Sequence, residues 1–464
     1  MTAVEPTKTA DETQERHQRS MSVDVRHGDC LTILRDMPDN SVDSVVTDPP
    51  YGLSNTKPAQ VADVLAAWVT GGTEAVPAKN GGFMGKDWDS FVPPPAVWAE
   101  CLRVLKPGGH MAVFAGARTQ DLMGLSIRLS GFEIRDTLGW VYGSGFPKSM
   151  DVSKAIDKAA GIRRGSSPDY RNGPNTNPST KGTGKYNGGY GIQDGSDTGP
   201  VTHGAQRWSG WGTALKPAIE PIILARKPLD GTVAANVLEW GVGGLNIDAC
   251  RVESGADDKL VRPEIRREDN DVFGTGLGAG TQTEPPGRFP PNVLLDPEAA
   301  AAMDEQSGVL KSGAWSGARS KPKFNGSTYN GGNQYQGGKE RGTTGDSGGA
   351  SRFFPVFKYQ AKAPKRERPV IEREDGTRVA HPTVKPLALM EWLVTLITPP
   401  GGTVLDPFAG SGTTLEAALM GGFTPVGIEA ESDYIPLIEA RDREERRVGK
   451  ECVGWCRSRW SPYH

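Results

Sequence analysis

The sequence predicts an α/β fold built on a mostly parallel, Rossmann-like sheet whose strands come from the two ends of the chain. Three observations carry this expectation. Between Val23 and Tyr142, short β-branched runs alternate with helical stretches: VDVRHGD, CLTILRDM, SVDSVVTDPPY, VWAECLRVLKPGG, HMAVFAG, TQDLMGLSIRLSGF and EIRDTLGWVY. Such alternation is the pattern of βαβ units. The same pattern resumes only at HPTVKP, where GGTVLDPF and TPVGIE read as strands and SGTTLEAALMGG as the turn and helix between them. The stretch separating the halves is irregular and rich in glycine.

The individual elements follow from spacing. Val97, Cys101, Leu102 and Leu105 recur at helical intervals and give one apolar stripe, with Pro107, Gly108 and Gly109 expected to stop that helix. Leu389, Trp392, Leu393 and Leu396 line one side of a second helix, and ESDYIPLIEARDREE reads as the last. There are 60 glycines and 36 prolines among 464 residues, well above the usual shares of about 7% and about 5%. Twelve of the glycines fall in residues 161–210 and twelve in 308–350, segments too polar and glycine-rich to bury a core and read as mobile loops. The expected organisation is a disordered leader at 1–20, a catalytic half at 21–230, an inserted module at 231–374, a second half at 375–445 and a non-native tail at 446–464. The last 21 residues (EERRVGKECVGWCRSRWSPYH) depart from the helical pattern and resemble the translation of a sequencing adapter.

Composition excludes several function classes. The net charge is −3, from 53 basic and 56 acidic residues, so any polyanion has to be met by local patches. The five cysteines (Cys30, Cys101, Cys250, Cys452 and Cys456) contain no C-x-x-C pair, which argues against a disulfide framework and a zinc site and fits a reducing cytoplasm. No stretch approaches the 18 or so apolar residues of a membrane span.

Two turns carry candidate chemistry. In Thr403 to Thr413 (TVLDPFAGSGT) a strand runs into a glycine-rich turn that opens a helix, where free N–H groups and absent side chains allow a ligand close to the backbone. About 20 residues on, Glu429 ends the next strand, placed like acids that accept hydrogen bonds from ribose hydroxyls. A tight βα turn of this kind also occurs with no ligand. Asp48, Pro49, Pro50 and Tyr51 follow the apolar strand Val42 to Val46, at the carboxyl edge where open α/β sheets bind ligands; a plain strand-ending turn has the same residue types.

With DPPY, LDPFAGSGTT and HPTVKP together, the chain resembles the amino-group DNA methyltransferases that use S-adenosylmethionine. DPPY precedes the FAGSG loop, an order that resembles the β class of that family. The resemblance covers roughly residues 21–150 and 376–445 and implies a sequence-permuted methyltransferase sheet with 231–374 as a target-recognition insertion. It implies that Asp406, Phe408, Gly410, Gly412 and Thr413 hold the cofactor, that Glu429 binds its ribose, that His381, Pro382 and Lys385 border its methionine end, and that Gly28 and Asp29 flank its adenine. Asp29 equally suits a helix cap. It also implies catalysis by Asp48, Pro49, Pro50 and Tyr51 on a base flipped out of double-stranded DNA, in a bacterial or phage-infected host, with a restriction partner or a homodimer left open.

The chemistry explains such a tetrapeptide. An exocyclic amine is a poor nucleophile because its lone pair is delocalised into the ring. Accepting hydrogen bonds from both amine hydrogens, through the Asp48 carboxylate and the Pro49 carbonyl, favours a tetrahedral nitrogen, so positioning and electrostatics carry the rate. Tyr51 is expected to stack on the base, as aromatic rings do. The resemblance implies adenine N6 as the target, because aspartate at the first position goes mostly with adenine. N4-cytosine methylation is the alternative, and a catalytically inactive DNA-binding protein a third reading. Methylation at cytosine C5 needs a thiolate that in that family follows a proline, and none of the five cysteines does. For DNA contact the sequence offers the basic run Lys362, Lys365, Arg366 and Arg368 beside Phe353, Phe354 and Tyr359, with Arg266, Arg267 and Arg288 as weaker candidates. The loop GGFMGKDWD, with Trp88 and Asp89, is expected to close over the flipped base.

Overall fold

The computed structural model describes residues 23–54, 56–78, 87–143, 145, 149–162, 164, 199–252, 287–311, 347–357, 369–373 and 375–441. Twelve strands lie within these residues: β1 (Asp24–His27), β2 (Val42–Thr47), β3 (Leu105–Phe114), β4 (Glu133–Val141), β5 (Ile219–Arg226), β6 (Val293–Leu295), β7 (Leu310–Lys311), β8 (Ser347–Gly348), β9 (Val370–Glu372), β10 (Arg378–Ala380), β11 (Thr403–Asp406) and β12 (Thr424–Glu429). Eight form one sheet in the order β1-β12-β11-β2-β3-β5-β4-β6. Every neighbouring pair is parallel except the two made by β5, which runs antiparallel between β3 and β4. The mostly parallel α/β sheet expected from the sequence is therefore present.

Both faces of the sheet are covered, which is why its central strands are buried continuously rather than at alternate residues. All six residues of β2 are buried. On one face the helices Cys30–Arg35, Pro95–Val104 and Gln120–Leu129 pack Leu34, Trp98, Cys101, Met123 and Ile127 against Val45, Met111 and Leu405. On the other, the helices Leu387–Ile397 and Thr413–Met420 pack Leu389, Leu393, Ala417 and Ala418 against Val46, Ala112, Phe114 and Val404.

The strand from the start of the chain and the strand from its end meet at one seam. β2 pairs with β11 through Ser44↔Val404 and Val45↔Leu405. At its lower end the Asp43 carboxylate accepts from Lys106 Nζ at 2.6 Å and from the Thr403 N–H at 2.7 Å. At its upper end Thr47 Oγ1 donates to Asp406 Oδ1 at 2.6 Å. Ser44 and Thr398 join their hydroxyls across the same seam at 2.7 Å.

Several expectations need correction. The helix Pro95–Val104 ends before Lys106, and β3 runs straight through Pro107, Gly108 and Gly109. Leu105 is already extended, and Gly108, at φ +77°, gives its N–H to the Pro228 carbonyl. The proline and glycines shape an irregular strand start instead of stopping a helix. Within residues 161–210, His203–Arg207 is a helix, capped by the Thr202 hydroxyl on the Ala205 N–H. The described parts of 231–374 do not stand apart from the sheet. β6 extends it beside β4, and Asn236, on the helix Val233–Trp240, bonds the Pro107 carbonyl in β3. The short apolar run Val293–Leu295 completes the sheet edge. By compactness the chain divides into Met1–Ser144 with Ile219–His464, and Gly145–Ala218. In the smaller unit the buried Asp157 carboxylate accepts from the Val201 and Thr202 N–H groups at 3.0 and 2.9 Å. The leader, the C-terminal tail and most of the two glycine-rich segments lie outside the described residues.

Asp43→Ala leaves the partly buried Thr403 N–H and the Lys106 ammonium without their acceptor, and is expected to lower the unfolding free energy by about 1–3 kcal/mol. Urea denaturation of the two proteins measures it, with Asp43→Asn falling in between.

Candidate active site

The carboxyl ends of β2, β11 and β12 stand side by side; the first two run into the turns singled out in the sequence, and Glu429 ends the third. After β2, Asp48 and Tyr51 turn toward each other, with Tyr51 OH donating to Asp48 Oδ1 at 2.8 Å. Lys385 Nζ donates to Asp48 Oδ2 at 2.7 Å and to Tyr51 OH at 3.0 Å, and pairs with Glu220 Oε2 at 3.4 Å. The ammonium also lies 4.8 Å from the centre of the Phe114 ring and 5.3 Å from that of Tyr51. Burial pulls the Lys385 ammonium toward its neutral form, but Asp48 and Glu220 outweigh it and the pKa ends above the ordinary lysine value. Burial pushes the Tyr51 phenol well up, helped by Asp48 and Glu220, so it stays a hydrogen-bond donor.

The DPPY turn is held from outside. Asp89 Oδ1 accepts from the Tyr51 and Gly52 N–H groups at 2.7 and 2.9 Å, and Thr119 Oγ1 donates to the Tyr51 carbonyl at 2.6 Å. Pro49 is buried and Pro50 partly so. Two prolines bring no N–H that needs a partner in this turn.

The second turn is built on two glycines in left-handed backbone, Gly410 at φ +54° and Gly412 at φ +81°. A Cβ at Gly410 would stand 3.0 Å from His381 Nε2, and one at Gly412 3.0 Å from Ile438. The glycines are thus required by close packing against the protein itself as much as by any ligand. The Asp406 carboxylate accepts from Thr47 and from the Phe408 N–H at 3.1 Å, and Glu429 accepts from the Gly410 and Glu431 N–H groups at 2.7 and 2.8 Å. Burial pushes Asp406 up to about 6 and Glu429 up to about 7, with backbone and hydroxyl donors pulling the other way. Gly412 caps the helix Thr413–Met420, whose first residue Thr413 is buried.

His381 joins the two turns. It packs edge-on against Tyr434 at 4.7 Å between ring centres and lies nearly parallel to Trp88 at 6.3 Å. Burial lowers its pKa, favouring neutral imidazole.

The structure therefore brings together Asp48, Pro49, Pro50, Tyr51, His381, Lys385, Asp406, Phe408, Gly410, Gly412, Thr413 and Glu429. Asp29 caps the helix Cys30–Arg35, its Oδ1 bonding Thr32 N and Oγ1 at 2.9 Å each. Lys385, placed by resemblance at the cofactor's methionine end, contacts Asp48. Lys362, Lys365, Arg366 and Arg368, with Arg266 and Arg267, lie outside the described residues. Arg288 sits 5.0 Å over the Phe353 ring and donates to the Arg352 carbonyl at 3.2 Å. Glu220, Thr119 and Phe114 carry no motif and were not foreseen. Asp89 was read only as part of a closing loop, whereas it braces the DPPY turn.

These features coincide with a family. Residues 42–190 and 202–440 match the DNA methylase family N6_N4_Mtase, and the chain belongs to that family. Among curated relatives it is 40% identical over 70 residues to the type II methyltransferase M.ScaI of Streptomyces caespitosus, covering 15% of this chain and 23% of that one. It is 47% identical over 57 residues to the DNA adenine methyltransferase YhdJ of Escherichia coli, covering 12% and 19%. The matched segments thus span about a fifth of these relatives. Among solved structures, the M1.HpyAVI–SAM complex aligns over 90% of this chain and 98% of its own at 14% identity and a TM-score of 0.35. The cytosine-N4-specific PvuII DNA methyltransferase aligns over 94% of both chains at 14% identity and a TM-score of 0.38.

Two outcomes test this geometry. Gly412→Val forces a β-branched residue into left-handed backbone against Ile438, and is expected to lower the melting temperature, by strain of about 1–3 kcal/mol, as well as to disturb the turn. Glu429 has its folded pKa raised from 4.5 to about 7, so its contribution favours the fold at low pH and is lost as pH rises through that window. Glu429→Gln should therefore gain stability relative to the parent as pH goes from 4.5 to 7, read as the difference between their melting temperatures.

Proposed function

We propose that the protein is a site-specific DNA methyltransferase that moves a methyl group from S-adenosylmethionine to the exocyclic N6 of an adenine flipped out of double-stranded DNA. One observation carries the reading: the seam sets the Asp48 carboxylate and the turn from Asp406 to Glu429 at adjacent strand ends. The donor's contribution is an electrophilic methyl group on a sulfonium centre.

The residues around the second turn suit such a molecule. Glu429 is a buried acid whose two oxygens each hold one backbone N–H and keep a further lone pair for ribose hydroxyls. The absence of a side chain at Gly410 lets His381 close on the turn, and Phe408, His381 and Trp88 supply ring surfaces. Among this chain's own groups, Asp48 and the Pro49 carbonyl take the two amine hydrogens and hold the nitrogen tetrahedral. No strong base precedes the transfer, because the methylated nitrogen is cationic and sheds its proton afterwards. Asp89 and Thr119 fix the turn that makes this placement possible. Tyr51 supplies the ring that faces the base.

Adenine is chosen over cytosine on the aspartate at the first position of DPPY and on the adenine-specific name of the relative from Escherichia coli. Target recognition is assigned to residues within 231–374, with phosphate contacts from the basic run 362–368, and the working place to the cytoplasm of a bacterial or phage-infected host.

Asp48→Ala is expected to lower methylation by at least about a thousandfold while calorimetry shows an S-adenosylmethionine dissociation constant within about threefold of the parent's. Equal loss of donor binding contradicts the assignment of Asp48 to the amine. Incubating unmethylated DNA with labelled donor, digesting to nucleosides and separating them by mass spectrometry should place the label in N6-methyladenine. Label in N4-methylcytosine alone overturns the base and keeps the reaction type.

A further inference from the structure

We infer that Lys385 is a stand-in for the target amine, and that Glu220 is the positioning residue which takes up the lysine when a base enters. The inference rests on the proposed methyl transfer and concerns how the same site is opened.

Asp48 has no idle oxygen. Oδ1 accepts from Tyr51 OH at 2.8 Å and Oδ2 from Lys385 Nζ at 2.7 Å. An incoming amine that is to donate to this carboxylate competes with both donors, and the charged one holds Oδ2 the more strongly. Lys385 is the counterpart of the amine in kind, a nitrogen with hydrogens to give, and it stands on the carboxylate as the base nitrogen would. Without a base it holds the Asp48 carboxylate in place.

The lysine has little freedom to leave. Its side chain is 11% exposed, and its ammonium lies over the Phe114 and Tyr51 rings. Ring faces attract a cation but do not neutralise it, and an ammonium parted from its carboxylate inside the protein is costly. A second carboxylate is therefore needed within reach, and one is present. Glu220 Oε2 is buried at 3.4 Å from the same nitrogen, looser than the 2.7 Å pair with Asp48. Closing the one contact while opening the other moves the charge between two berths without exposing it to apolar surroundings.

Strand direction explains why a glutamate is there. β5 is the antiparallel strand, so it is its N-terminal end, opposite Trp140 of β4, that reaches the edge where the parallel strands end. Glu220 stands at that end, one residue before Pro221, whose carbonyl takes the Ala115 N–H just beyond β3. The residue is fixed by backbone pairing on both sides, as a berth for a shifting cation requires.

Glu220→Gln keeps the shape and removes the charge. It is expected to slow single-turnover methylation by about tenfold or more, with the S-adenosylmethionine dissociation constant by calorimetry within about twofold of the parent's. Glu220→Asp, which keeps the charge, should lose less. The diagnostic variant is Glu220→Gln with Lys385→Met, which takes away the lysine that has nowhere to go and should methylate faster than Glu220→Gln alone. A parental rate for Glu220→Gln, or a double variant no faster than the single, overturns the inference. A stability cycle reads the pairing without any activity: Lys385→Met should cost more melting temperature beside Glu220 than beside Gln, because it leaves two carboxylates facing each other, and equal costs overturn the pairing. Coupling in that cycle, with a parent protein that methylates no DNA, counts instead against the proposed reaction.

Discussion

The pairing of β2 with β11 is the contact on which the rest of the molecule depends. These strands are separated by more than three hundred residues of chain, so closing that loop costs conformational entropy that no local element returns. The cost is met where it arises. Two apolar strands pair in parallel in the centre of the sheet, Asp43 bonds across the lower end to the Thr403 backbone, and Thr47 bonds across the upper end to Asp406. The Asp43 contact is partly and the Thr47 contact fully buried, which makes the register specific: a slip by one residue would strand a carboxylate at each end. Because the register is fixed, so is the distance between the two turns that follow.

At the upper edge the protein gathers Asp48, Asp406, Glu429 and Glu220, with Lys385 as the ammonium among them. Burial alone would favour the protonated forms of Asp406 and Glu429. Backbone N–H groups and hydroxyls offset it at Asp406 and Glu429, leaving pKa values of about 6 and about 7, and the lysine serves Asp48 and Glu220. The acids are thereby sorted by environment. Two sit on strand ends inside the glycine turn, and two share a cation beneath aromatic rings. The first pair suits a sugar and a cationic donor, the second an amine.

Much of this was legible in the sequence, for a physical reason. Short β-branched runs such as SVDSVV and TVLD read as strands, and the turns that break them at DPPY and DPFAGSG were equally plain. The helix Leu387–Ile397 showed its core face through Leu389, Leu393 and Leu396, all buried. What escaped were effects of direction and distance. Glu220 lies in KPAIEPIILARKP, a run without a motif, and only the antiparallel course of β5 brings it to the site. Asp89 acts on backbone N–H groups, which any sequence supplies. Gly108 and Gly109 read as a stop because a strand that tolerates them needs the tertiary bond from Gly108 N to Pro228. Asp29 was open between a cap and a ligand, and its local bonds to Thr32 show the cap.

The seam builds a single site from both ends of the chain, in which donor and base are proposed to meet. Ultraviolet cross-linking with methyl-labelled S-adenosylmethionine, followed by digestion and mass spectrometry of the labelled peptides, tests it most directly. The label is expected in peptides from both sides of the seam, those containing Tyr51 and those containing His381 or Phe408, and to be lost when excess unlabelled donor competes. Label confined to residues 145–218, or label that the unlabelled donor fails to displace, would contradict the claim.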